Sequence, residues 1–158
     1  MRRRSLRPAI LALALVATAS VSASSQTSLS GAISGRELCE QEVCGSAIFL
    51  AAFAGAIDDR PAIGLALGGI VHEPLPQQPG ECVRILGGSW SIRTLRRTLA
   101  GDVNGGQLCY VNGVQYQVLG MSMEINQGGT GEAIFNAVLD HDQVDWITIA
   151  IHGVWYFG

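Results

Sequence analysis

Period-two alternation governs the chain from Ser46 onward and leaves little room for helices. Successive side chains of a strand point to opposite faces, so alternating bulk or polarity marks a strand with two unlike faces. Ser46 to Ile57 leads through Asp58-Asp59-Arg60-Pro61 into Ala62 to His72. In that second run Ile63, Leu65, Leu67 and Val71 hold one parity, while Gly64, Ala66 and Gly68 hold the other. The expectation is a hairpin of long strands in which the large residues form a packed face and the small ones a closely approached face. Phe49, Phe53 and Ile57 also fit a helical four-residue step, which leaves the first run less sharply defined.

The rest of the chain reads in the same way. Glu73 to Glu81 carries Pro74, Pro76, Pro79 and Gly80 and is a loop, because proline supplies no ladder donor. Cys82 to Leu86 is a short strand, Gly87-Gly88 a bend or bulge, and Ser89 to Ala100 a further strand. Ile92, Leu95 and Leu99 against Arg93, Arg96 and Arg97 would also make an amphipathic helix, but the Ser, Thr, Trp and Ile content favours strand. Gly101 to Gly106 has the composition of a turn. Gln107 to Val111 is joined to Val114 through Asn112-Gly113, the strongest short hairpin signal in the chain. A parity switch near Leu119 places a bulge around Gly120. After the turn Gly128 to Gly131, Ala133, Phe135, Ala137 and Leu139 form one strand face, and an acidic turn at 140–145 precedes a last strand from Trp146 to Phe157. Short sequential connections imply antiparallel pairing, so the fold class is all-β, a small antiparallel meander barrel or sandwich of about eight strands.

The N-terminus has a different pattern. Arg2, Arg3 and Arg4 precede an apolar run from Ile10 to Ala19, and Ala17-Thr18-Ala19 and Val21-Ser22-Ala23 offer small residues at a cleavage spacing. Residues 1–23 are read as an export signal, residues 24–37 as a flexible Ser-rich lead-in, and residues 38–158 as a single β-domain. The apolar run is too short for a stable helical membrane span. Export places the domain outside the cell or in a periplasm, where an even set of cysteines forms disulfides. Cys82 with Cys109 and Cys39 with Cys44 is the preferred pairing, the first across neighbouring strands and the second closing a small ring. A four-cysteine zinc site would need short paired knuckles that these spacings lack.

Charge narrows the partners. The formal balance is −3, from ten arginines, no lysine and thirteen acids. Cleavage after Ala23 would remove Arg2, Arg3, Arg4 and Arg7, leaving six basic residues against thirteen acidic ones. The chain has no lysine for a P-loop, a Schiff base or a kinase-type site. So acidic a domain also lacks the phosphate-neutralising surface of a nucleic-acid binder.

Four of the six remaining basic residues, Arg84, Arg93, Arg96 and Arg97, lie close together in sequence. Guanidinium forks suit carboxylates, sulfates and phosphates. Together with Trp90 they are the candidate ligand-binding residues, for a small molecule or an anionic surface group. His72, His141, Asp140 and Asp142 are weaker metal-ligand candidates, since no two histidines stand at ligand spacing. No Gly-x-Ser-x-Gly elbow is present, and no catalytic residue or cofactor is assigned. The leading expectation is a secreted, non-enzymatic β-domain that binds a small molecule or an extracellular component. An enzyme with a His/carboxylate site, or a small outer-membrane barrel, would be the alternatives.

Overall fold

A computed structural model describes residues 27–39, 45–113, 115–140 and 146–152. Eight antiparallel strands occur among the described residues: β1 (Leu29–Cys39), β2 (Ser46–Ile57), β3 (Arg60–His72), β4 (Cys82–Thr94), β5 (Thr98–Asn112), β6 (Gln115–Ile125), β7 (Gly131–Asp140) and β8 (Trp146–His152). Each pairs with its neighbour in sequence, and β8 returns to β1, so the sheet closes into a meander barrel. The pairing path from Cys39 through Ala47, Ile70, Gly88, Val103, Met123 and Ala133 comes back to β1 near Leu29. That stagger of about ten residues over one circuit tilts the strands and sets a bore that side chains alone can fill.

Local chemistry explains the turns. Ile57 pairs with Arg60, and the two residues between them, Asp58 and Asp59, have φ of 50° and 58°. Two left-handed residues in a two-residue loop match the twist of the flanking strands, and aspartate tolerates that conformation better than most side chains. In the β5–β6 hairpin Asn112 pairs with Gln115, so the turn falls one residue later than Asn112-Gly113. The bulge expected at Gly120 is present: register shifts between Val118 and Met121, Gly120 has φ of 57°, and its N–H donates to Asn136 Oδ1 at 2.8 Å. The Gly87-Gly88 segment likewise sits where the β3–β4 register slips, between Val71 and His72.

Three expectations are corrected. Residues 29–37, read as lead-in, belong to β1, where Gly31 and Gly35 alternate with Leu29 and Ile33. Glycine at these sites looks like linker composition but serves close packing, because a Cβ on Gly35 would meet Leu50 O on β2 at 2.1 Å. Ser89 to Ala100 is not one strand, since β4 ends at Thr94 and β5 begins at Thr98. The Thr94 hydroxyl accepts from the Arg97 backbone N–H at 3.0 Å and donates to its carbonyl at 2.9 Å, closing a tight turn that competes with strand continuation. Gly101 to Gly106, expected as a turn, lies inside β5 with Val103 inward and Asp102 and Asn104 outward. Cys44, the expected partner of Cys39, and the export signal fall on residues outside those described, whereas Cys82 and Cys109 are bonded directly across β4 and β5.

The interior is filled with side chains. Phe49, Phe53, Trp90, Leu99, Met121, Met123 and Phe135 converge there with Ile33, Ile70 and Ile92. Among the described residues, an apolar-lined space near Phe49, Val118 and Leu139 holds about 20 Å³, room for about one water. Filling depends on glycine opposite phenylalanine: a Cβ on Gly68 of β3 would lie 2.4 Å from the ring of Phe49 on β2. The small parity of β3 therefore faces inward. The large parity, Ile63, Leu65, Leu67 and Val71, faces out and is exposed, the reverse of the packed face expected.

This steric pairing makes a measurable claim. Gly68→Ala should cost about 1–3 kcal/mol of unfolding free energy through overpacking. In a Phe49→Leu background the same substitution should cost clearly less, read as a coupling energy from denaturant unfolding of the four proteins in the cycle. Equal cost in both backgrounds would show that the ring does not set the limit.

Candidate functional site

The ends of the barrel divide the candidate residues. At the leading end lie the start of β1, the Asp58-Asp59 turn, the turn between β4 and β5, and the turn between β6 and β7. At the far end lie the proline-rich loop between β3 and β4 and the start of β6. Arg84 is near the far end, whereas Arg93, Arg96 and Arg97 are at the leading end. Nine residues of β4, about 30 Å at strand rise, separate Arg84 from Arg93. The structure does not bring the four arginines together.

Two of them are committed to the fold. Arg84 donates from Nε and Nη2 to Glu73 Oε1 at 2.9 and 2.6 Å, and its backbone N–H donates to Glu73 Oε2 at 3.0 Å. These side-chain hydrogen bonds hold the Glu73 carboxyl below the ordinary glutamate range and raise the guanidinium. Arg97 donates from Nε to Gly128 O at 2.7 Å, from Nη2 to Thr27 Oγ1 at 3.1 Å, and from Nη1 to Asp58. One guanidinium thus ties the chain ahead of β1 and two turns to the turn that carries it. Asp58 Oδ1 also accepts from the Ser28 N–H at 3.1 Å.

Trp90 is buried, and its indole N–H donates to Glu124 O at 3.2 Å. His72 is buried at the far end, with its Nδ1–H donating to Glu73 O at 2.6 Å. His141 and Asp142 lie outside the described residues, and Asp140 sits on β7, four strands around the ring from His72. The backbone of His152 pairs with Ser30 at the leading end. Tracing Ser30 to Ala56 and on to Pro61 places His72 eleven residues farther along β3, about 36 Å away in the strand direction. His72 and His152 therefore cannot share a site. Among the described residues no group of three His, Cys, Asp or Glu side chains is placed to hold a metal ion.

What the structure does assemble was assigned inward, or not singled out, from sequence. Ile48 and Leu50 on β2 and Ile63, Leu65, Leu67 and Val71 on β3 form one exposed apolar strip on the outside of the barrel. Leu65 pairs with Arg93 on β4, so the strip is flanked by a cation. At the leading end Ile63, 72% exposed, and Leu95, 99% exposed, line a groove with Arg60, Arg96, Pro61 and Thr94. The groove holds about 550 Å³ between the two turns. Alternation in β3 signalled this surface, but parity alone does not say which face is inside.

The opposite wall is different in kind. Glu124 on β6 pairs with Glu132 on β7, and the β5–β6 register brings Asp102 into line with them, all three exposed. Ser89, Arg93, Asp102, Asn104 and Glu124 at outward positions interrupt any apolar band around the barrel, and the bore is apolar. A membrane-spanning barrel needs the reverse, a lipid-facing belt around a polar interior. No described helix is long and apolar enough to cross a membrane.

Arg97→Met should lower stability by about 1–2 kcal/mol, the scale of lost charge-assisted hydrogen bonds at a half-exposed site. Arg97→Lys should recover only part, because an ammonium cannot span the same three acceptors as a planar fork. Thermal unfolding of both variants checks this. The Glu73–Arg84 pair adds a pH effect. A carboxyl held low in the fold stabilises above its unfolded-chain value and loses that contribution as pH falls through the folded one. The stability gap between the natural protein and Glu73→Gln should therefore close on acidification, and also in high salt, since both groups are solvent-exposed. No protein-family model, curated protein or solved structure matches this chain.

Proposed function

We propose that the chain is exported and acts as a non-enzymatic docking domain. In this reading the outer β2–β3 face, rather than the bore, engages a component of the surrounding surface or extracellular medium. The observation that carries it is the inversion of β3. Three large aliphatic residues in succession, Ile63, Leu65 and Leu67, stand in solvent while Gly64, Ala66 and Gly68 face the core. A contiguous exposed apolar patch of this kind on a folded domain marks an interaction surface. The interior supports an external site, because the described core side chains pack together and the space near Phe49 has room for about one water. The export pattern at residues 1–23 supports a location outside the cytoplasm.

Expression of the full chain with a C-terminal tag tests the first half. Processed protein beginning at Ser20 or Ser24 in the medium or periplasm is expected, and full-length cytoplasmic protein would overturn export. For the second half, purified mature protein is added to washed cells of the producing organism. Retention on the cells is expected. A Leu65→Glu, Leu67→Glu variant should keep its melting temperature, since both side chains already face water, yet lose retention at least tenfold. Equal retention of the variant would remove the β2–β3 face from consideration.

A further inference from the structure

We infer that the component engaged is an anionic lipid bilayer, met by the leading end of the barrel with Leu95 and Ile63 entering the interface and Arg60, Arg93 and Arg96 lying at the headgroups. This rests on the outer-face docking reading and names the partner for it. Leu95 is the tip of a three-residue turn and is wholly exposed, an arrangement that gains nothing from the fold. Extending the β3–β4 register beyond Gly64 and Thr94 brings Leu95 beside Ile63, so the two apolar side chains form one projecting pair at the end of the strip. An aliphatic tip ringed by arginines is the composition of an interfacial anchor, in which buried apolar area and attraction to anionic lipid act together.

Charge placement selects the partner. The guanidinium groups of Arg60, Arg93 and Arg96 have no ion pair or hydrogen bond among the described residues, whereas those of Arg84 and Arg97 are engaged. Around Leu95 and Ile63 these three guanidiniums face one carboxylate not engaged by Arg97, Asp59, which leaves this side of the leading end positive on a chain whose formal charge is −3. Glu124 and Glu132 flank the β6–β7 turn on the other side of the same end, and Asp102 beside them accepts from Asn126 Nδ2 at 2.7 Å. An anionic surface therefore attracts the β3–β4 side of this end and repels its β6–β7 side, which tilts the barrel so that Leu95 and Ile63 lead.

The test uses the processed, oxidised protein and sedimentation with vesicles of phosphatidylcholine alone or mixed with phosphatidylglycerol. Binding to the mixed vesicles only, weakening as salt is raised, is expected. Replacing Arg60, Arg93 and Arg96 together with Gln should lower partitioning about a hundredfold, near fivefold for each charge. Leu95→Asp should lower it by a comparable factor at unchanged melting temperature, and Arg84→Gln should have no effect on it. Equal binding to both vesicle types, binding unchanged by the arginine and Leu95 variants, or no binding to either would overturn the assignment. The two failures separate: absence of vesicle binding with intact, Leu65/Leu67-dependent retention on cells removes the lipid and leaves the docking face. Loss of that dependence removes the face itself.

Discussion

The bore of the barrel is the constraint on which the other features depend. Eight strands closed with a stagger of about ten residues enclose a core one layer of side chains deep. Phe49 and Phe53 project into it from β2, with the small inward side chain of Ala51 between them. The space they occupy must be yielded by neighbours, and it is yielded by Gly31 on β1, where a Cβ would meet the Phe53 ring, and by Gly68 on β3, where one would meet the Phe49 ring. Once glycine and alanine hold the inward parity of β3, its large residues have only one direction left. The exposed strip of Ile63, Leu65, Leu67 and Val71 is thus a geometric consequence of where the phenylalanines point. Keeping those positions aliphatic is not a consequence of it, because serine or threonine would satisfy the barrel equally well.

The same constraint divides what was legible in the sequence from what was not. Strand type, strand number and antiparallel order follow from period-two alternation and short turns, and both local signals survive in the closed sheet. The Gly120 bulge was legible because a parity switch is a local event. The inside of β3 was not, because it depends on Phe49 and Phe53 across the ladder, and a single strand's pattern is symmetric under exchange of its faces. Residues 29–37 and 101–106 were misread for a related reason. Glycine that permits close approach of two strands has the same composition as glycine that permits a turn, and only the neighbour at 2.1 Å from Gly35, or Glu124 O crowding Gly101, distinguishes them. The break at Leu95 was hidden by Thr94, whose hydroxyl completes the turn without glycine or proline.

The arginines show how sequence proximity misleads in a barrel. Arg84 and Arg93 are near in sequence but belong to opposite ends of one long strand. Arg60, distant in sequence and not singled out, shares a groove with Arg96 because the two hairpin turns are neighbours on the ring. Hairpin turns of alternating strands gather at the same end of a meander, so residues about one strand pair apart meet there. The useful sequence unit for a rim site is therefore the set of turns at one end, here 58–59, 95–97 and 126–130, and not a window of consecutive residues.

Those turns divide their charges between two tasks, and the division links stability to surface chemistry. Arg97 draws Asp58, Thr27 and Gly128 together and so neutralises an acid that would otherwise face outward at the rim. Its neighbours Arg96 and Arg93 are left unpaired beside Leu95 and Leu65. If Arg97 only stabilised the turns, its removal would weaken the fold and leave the rim chemistry alone. Because it holds Asp58, its removal also exposes a carboxylate next to Arg60 and Arg96, lowering the positive potential exactly where the apolar tip projects. The lock at the leading end thus also keeps the Asp58 carboxylate from offsetting Arg60 and Arg96 beside Leu95.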